Sequence, residues 1–316
     1  MRFTLVVPVA PERDAPIIDS IKNLDYPKNK FHVVIAKGFN PSENRNKGIM
    51  KARGEIVVFL DDDAIIESDY LNNVEEFFDN HSEIDIVGGP QLTPISDRGF
   101  AKISGYGLSS KFGAWKLSDR YSESKEILDA DETAITSANL ICKRKVFEKV
   151  KFDENFFPGE DPKFISDARE LGFKVAYSPD IIVYHRRRPT IKSFVKQIFN
   201  YGKVRPEKES FLTTLKMPFF FVPSLFFIYL LLLIGSVVVN PRITGNVIGF
   251  REIGFSLELF WFLPLIAYML MSIIFSFYDS TKNGNLMAIP VLFFVYPIIH
   301  LSYGTGMIYG YLRKGF

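Results

Sequence analysis

Charge is spread unevenly along this chain, and that constrains its architecture more than any other feature. Up to about residue 215, charged and apolar residues mix as they do in a water-soluble α/β domain. Beyond that point charges become scarce. Residues 217–239 and 259–278 contain no charged residue, and 286–312 contain only His300. Each run reaches the roughly 20 residues needed to cross ~30 Å of hydrocarbon. One such run would equally suit a buried core helix, but three in succession, separated by polar segments, read as membrane spans.

Bulk properties narrow the rest. A formal charge of +2 in 316 residues excludes a chain built to seek polyanions, so no nucleic-acid partner is expected. The N-terminus places one basic residue, Arg2, ahead of an apolar stretch broken by prolines, which does not match a secretory signal. The single cysteine, Cys142, excludes an internal disulfide and suits a reducing compartment. No internal repeat or low-complexity tract is visible.

The first part of the chain alternates strand and helix patterns. FTLVVPV, FHVVIA, EIVVFL and DIVGGP have the character of buried strands, with helices expected over 15–24, 42–52 and 70–80. This order predicts an α/β domain with a mainly parallel sheet and helices on both faces. Ligands of such sheets bind beyond the carboxyl ends of the strands, and there the third strand runs into Asp61, Asp62 and Asp63. Three adjacent acids repel one another and are costly at a partly desolvated strand end. A divalent cation resolves that cost, and Mg²⁺ or Mn²⁺ prefers oxygen ligands shared between carboxylates and substrate phosphates. Side chains alternate along extended chain, so Asp61 and Asp63 form the working pair and Asp62 faces away. A polar loop with helix-capping acids is the plainer alternative.

The surroundings favour the metal. NRNKGIMKARGEIVVFLDDDAII resembles the segment leading into the Asp-x-Asp motif of family 2 glycosyltransferases: Arg45, Asn46 and Gly48, then Ala52 and Gly54, then the strand. VVPVAPERD is similar to the family's first strand end, with Glu12 at its acidic position. TSANLICKRKVFEKVKFDENF resembles the acceptor-side strand and following loop, and FFPGEDPKFISDARELGFKVAYSPDIIVYH resembles the Glu-Asp motif, its helix and the terminal His strand. The ordered set spans nearly all of residues 3–205.

The resemblance implies a Rossmann-like GT-A fold and a metal-dependent, inverting transfer from a nucleotide-diphosphate sugar. It implies metal at Asp61 and Asp63, and donor contacts from Pro8, Glu12, Arg45, Asp61 and Asp62. It makes Asp161 the general base, with Glu160 positioning it or the acceptor; a turn opening a helix is the plainer reading of the same residues. His185 is either a third metal ligand, as in some relatives, or a hydrogen-bonded structural residue. The Arg186–Arg187–Arg188 run offers at least one diphosphate contact, with Arg186 and Arg188 the candidates, and otherwise a basic patch for lipid headgroups. One departure stands out. Where the family has an Asp-Asp-Gly-Ser turn that helps read the base, this chain has Lys37 and Gly38, which weakens the expectation of a uridine site.

The organisation follows as a catalytic domain over 1–188, an amphipathic interface helix and linker over 189–216, and a membrane domain over 217–316. Ile191, Phe194, Val195, Ile198 and Phe199 recur at helical spacing in the linker, suited to a lipid interface or to packing on the catalytic domain. Gly304, Gly306 and Gly310 would allow close helix approach in the last span. Gln-x-x-x-Tyr-Gly here resembles members acting on polyprenyl-linked saccharides, which implies a lipid-linked saccharide acceptor. A membrane-bound protein of the cell membrane, in contact with its lipid, is expected, and a cytoplasmic catalytic domain agrees with the Lys and Arg that 205–216 add before the first span. Three full crossings would leave Arg313 and Lys314 outside, against the positive-inside tendency; a re-entrant element at Pro218 and Pro223 would remove that conflict. A polyprenyl-phosphate sugar synthase and an inactive scaffold are the alternatives.

Overall fold

The computed structural model describes residues 1–156, 159–208, 210–239 and 260–315. It divides into two compact units, Met1–Arg188 and Pro189–Phe316.

Among the described residues, the first unit has nine strands: β1 (Phe3–Val9), β2 (Phe31–Lys37), β3 (Ile56–Leu60), β4 (Ala64–Ile65), β5 (Ile86–Gly88), β6 (Gln91–Leu92), β7 (Asn139–Lys143), β8 (Val175–Tyr177) and β9 (Val183–His185). Six form one sheet in the order β2-β1-β3-β7-β5-β8, and β4-β9-β6 form a smaller one. The β1–β2, β1–β3 and β5–β8 pairs are parallel, as the strand–helix alternation predicts. β7 runs antiparallel to both neighbours, so the sheet is mixed.

Alternation along the strands builds the core. Phe3, Leu5, Val7, Ile56, Val58 and Leu60 pack on one face of the sheet, and Val6, Val57 and Phe59 on the other. Both faces are therefore covered, which is why β1 and β3 are near-continuous apolar runs. The helices expected over 15–24, 42–52 and 70–80 appear as Ile17–Lys22, Pro41–Met50 and Tyr70–Asn80. The second begins at Asn40, whose side chain accepts from the Ser42 and Glu43 amides at 2.9 and 3.3 Å.

Among the described residues, the second unit holds three helical segments long and apolar enough to cross a membrane: Pro218–Val239, Leu263–Lys282 and Leu286–Lys314. Residue 259, the first of the second expected span, lies outside the described residues. Pro218 opens the first segment as a short 3₁₀ turn, Pro218–Phe220, and Pro223 lies in the first turn of the helix that follows, Val222–Val239. Large apolar side chains such as Leu225, Leu232, Ile234, Leu270 and Ile274 stand exposed on these helices, as lipid contact requires.

The helix Ile191–Lys208 packs along Ile289–Lys314 at very close range. A side chain at Gly202 would enter the Tyr303 carbonyl, one at Gly306 the Phe199 carbonyl, and one at Gly310 the Lys203 carbonyl. Only glycine permits such backbone contact. Of the apolar positions in Ile191–Lys208, Phe194 and Ile198 are buried and Ile191 and Val195 are exposed. The stripe therefore divides between an internal and an outward face.

Candidate active site

β3 is central in the large sheet, and its carboxyl end delivers Asp61, Asp62 and Asp63. The chain turns there, with the Ala64 amide donating to the Asp61 carbonyl at 3.2 Å, and enters β4. β4 pairs antiparallel with β9 so that Ala64 lies opposite His185. That register brings the His185 ring to the acids: Nε2 lies 3.1 Å from Asp63 Oδ1 and 3.5 Å from Asp61 Oδ2. Asp61, Asp63 and His185 each offer one ligand atom, all within 4.8 Å of one another.

The donor set fits a divalent cation. The two carboxylates suit Mn²⁺ or Mg²⁺, and the imidazole favours the transition metal of the two. His185 Nδ1 lies 3.2 Å from the Arg186 carbonyl, which can only accept, so Nδ1 carries hydrogen and Nε2 is left to face the acids. Burial alone would lower the His185 pKa; the hydrogen bonds and charges of Asp61 and Asp63 instead raise it to about 9. Burial alone would raise both carboxyls. Burial is the largest single effect, but the hydrogen bond and charge of His185, with Arg45 at Asp61 and Arg13 at Asp63, together outweigh it and hold both below the usual carboxylate range.

Asp62 points the other way and is buried, 3.1 Å from Arg13. Burial raises its pKa, against the pull of Arg13, and the neighbouring acids add to the rise, to about 6.

Arg45 projects from Pro41–Met50 and is buried. Its Nη1 donates to Glu160 Oε1 at 2.7 Å and lies 3.9 Å from Asp161 Oδ1, while Nη2 lies 3.5 Å from Asp61 Oδ1. One guanidinium therefore bridges the Asp61–Asp63–His185 trio and the Glu160–Asp161 pair. Glu160 and Asp161 form the first turn of the helix Glu160–Glu170, which Gly159 opens at φ 109°, a conformation that favours glycine. The Ser137 amide donates to Asp161 Oδ2 at 3.0 Å, and the Gly159 amide donates to Glu160 Oε2 at 3.0 Å. Burial and the adjacent Asp161 carboxylate push Glu160 up, against the pull of Arg45, because one cation serves three acids.

The structure thus gathers Asp61, Asp63, His185, Arg45, Glu160 and Asp161. Arg45, expected at the donor, lies among these acids. Pro8 is half-buried in β1 and Glu12 is exposed in the loop after it, joining none of these ion pairs. Arg186 and Arg188 are exposed, while Arg187 is buried. The Arg187 guanidinium bonds the Gln91 carbonyl and Thr93 Oγ1 and lies over the Tyr121 ring, and its amide donates to Asp97. It fastens the segment after β5 to the end of β9. Sequence reasoning missed Arg13 and the Ser137 amide. Arg13 carried a signal, as a cation in the loop leaving β1 at the ligand edge of the sheet; a backbone amide carries none.

Residues 1–200 match the family model described as "Glycosyltransferase like family 2". The chain belongs to this family. It is 32% identical over 144 residues to the minor teichoic acid biosynthesis protein GgaB of Bacillus subtilis, a match covering 45% of this chain and 14% of that protein. It is 24% identical over 167 residues to a Methanococcus voltae enzyme named dolichyl N-acetyl-alpha-D-glucosaminyl phosphate 3-beta-D-2,3-diacetamido-2,3-dideoxy-beta-D-glucuronosyltransferase, covering 51% of this chain and 49% of that one. The matches therefore span half or less of either relative's length. Among solved structures, the mannosyltransferase PcManGT of Pyrobaculum calidifontis superposes with a TM-score of 0.53 at 13% identity, covering 99% of this chain and 88% of that one. This likeness concerns the GT-A fold.

Proposed function

We propose that this protein is an inverting, metal-dependent glycosyltransferase that moves a sugar from a nucleotide-diphosphate donor to a lipid-linked saccharide. The carrying observation is that Arg45 joins the Asp61–Asp63–His185 trio to Asp161, so a cation-ligating group and a candidate base flank one buried guanidinium. Asp61, Asp63 and His185 would hold Mn²⁺ or Mg²⁺, which when bound supplies Lewis-acid neutralisation of the departing diphosphate. PcManGT, described in complex with GDP-Man and Mn²⁺, supports that assignment by fold.

The protein's own residues account for the remaining chemistry. Asp161, oriented by the Ser137 amide, takes the proton of the acceptor hydroxyl. The acceptor oxygen forms its bond to the anomeric carbon as the bond to the diphosphate oxygen breaks, and the nucleoside diphosphate leaves with the electron pair. Attack opposite the leaving group inverts the anomeric centre. Glu160, held by Arg45, positions Asp161. A phosphate acceptor would already be ionised and need no base, so the Glu160–Asp161 pair favours a hydroxyl acceptor. The dolichyl-linked substrate named for the Methanococcus relative and the three apolar helices support a lipid-linked acceptor, with the catalytic unit on the cytoplasmic side of the cell membrane.

The test is metal-dependent donor binding by the full-length protein in detergent. Nucleotide sugars screened with Mn²⁺ should raise its melting temperature, and Asp63→Ala should abolish Mn²⁺-dependent nucleotide binding in calorimetry. Undiminished binding by that variant overturns the metal assignment.

A further inference from the structure

Arg13 has no role in the chemistry above, yet its guanidinium touches the candidate metal site. It lies in the loop between β1 and the helix Ile17–Lys22, at the carboxyl edge of the sheet, where ligands of such folds bind. Its Nη2 is 2.9 Å from Asp63 Oδ2 and 3.1 Å from Asp62 Oδ1. Asp63 is thus bracketed, with Oδ1 toward His185 and Oδ2 toward Arg13.

Two properties separate Arg13 from the other cations nearby. Its side chain is 54% exposed, whereas that of Arg45 is 5% exposed and enclosed by three acids. Its backbone is tied down: the Arg13 amide donates to the Ala10 carbonyl at 3.0 Å, and the Ile17 amide donates to the Asp62 carbonyl at 3.2 Å. A fixed loop therefore carries a solvent-facing guanidinium. Both carboxylate contacts run through Nη2, so Nε and Nη1 retain hydrogens for another acceptor. Among the described residues, Arg13 is the only exposed guanidinium that pairs with Asp61 or Asp63.

We propose that Arg13 is a diphosphate clamp for the nucleotide donor, a role that rests on the donor-site reading above. Without donor, its charge is satisfied by Asp62 and Asp63, and it competes with a cation for Asp63 Oδ2. A divalent cation on Asp63 weakens that attraction, and a diphosphate arriving beside it offers the guanidinium paired anionic oxygens that match its planar donors. Arg13 therefore opposes cation binding when no nucleotide is present and favours nucleotide binding when cation is present. A guanidinium that merely orients Asp63 would favour both.

These opposite signs define the experiment. Calorimetry on full-length wild type, Arg13→Ala and Arg13→Lys would titrate Mn²⁺ alone, then UDP and GDP with Mn²⁺, then UMP and GMP with Mn²⁺. Arg13→Ala should bind Mn²⁺ alone more tightly than wild type. It should bind the preferred diphosphate about 10- to 100-fold more weakly, the scale of a lost charged hydrogen bond, with a clearly smaller loss for the monophosphate. Arg13→Lys should recover part of the diphosphate affinity through charge alone. Parallel weakening of Mn²⁺ and diphosphate binding overturns the clamp in favour of an orienting role, and so do equal losses for diphosphate and monophosphate. If wild type binds no nucleoside diphosphate with Mn²⁺, the donor-site reading itself fails, before any variant is compared.

Discussion

Cation binding to the Asp61–Asp63–His185 trio should release a proton. His185 is held between two carboxylates that raise its pKa from 6.5 to about 9, so near neutral pH it is an imidazolium, and Nε2 must lose its proton before it can ligate. The sign follows from a raised folded-state pKa. The pairing stabilises the fold fully below 6.5, and that contribution is lost as pH rises through about 9. At 1.36 kcal/mol per pH unit, the rise is worth roughly 3 kcal/mol. Mn²⁺ affinity should move the other way, strengthening by about tenfold per pH unit between 6.5 and 9. Asp62, at about 6, titrates below this window; Glu160, pushed up into the window by burial and Asp161, is paired with Arg45 and is not one of the ligating groups. Calorimetry at pH 7.5 in two buffers of different ionisation enthalpy should count about one proton released per Mn²⁺. His185→Gln keeps Glu160 and Asp62, so it should bind more weakly and with a much flatter pH dependence. Zero proton release by wild type, or a pH-independent affinity, would refute the coupling.

Asp161→Asn should bind donor and Mn²⁺ nearly as wild type does, yet transfer sugar at least ~10²-fold more slowly; turnover within a few-fold of wild type would place the base elsewhere and advance the phosphate-acceptor reading. Lys37, exposed at the end of β2, should shape base recognition, so affinities for UDP, GDP and CDP should change rank in Lys37→Ala. A strong uridine preference that survives this change would show that other residues read the base. Gly306→Val would force a side chain into the Phe199 carbonyl and should destabilise the membrane unit by about 1–3 kcal/mol or more, with nucleotide affinity intact; an unchanged melting temperature would mean the helices do not meet there.

Periodicity and local chemistry made much of this protein legible from the chain alone. The near-continuous apolar runs of β1 and β3 announced strands buried on both faces, because a sheet covered by helices leaves neither side for water. Asp61–Asp63 announced a strand end where negative charge needs a partner, and the charge-poor runs announced the three apolar helices. These are local signals, carried by residues a few positions apart.

Which cation meets which acid was decided by tertiary structure. His185 reaches Asp63 because β4 and β9 pair with Ala64 opposite His185, a register that neither segment contains by itself. Arg45 reaches across 115 positions to Glu160, a pairing that no local signal contains. Arg13 meets Asp63 only because parallel pairing of β1 with β3 sets the two strand ends side by side. Local propensity chooses helix or strand within a few residues. The partner of a buried charge is chosen by sheet order and register, where leaving that charge unpaired would cost more than any local preference supplies.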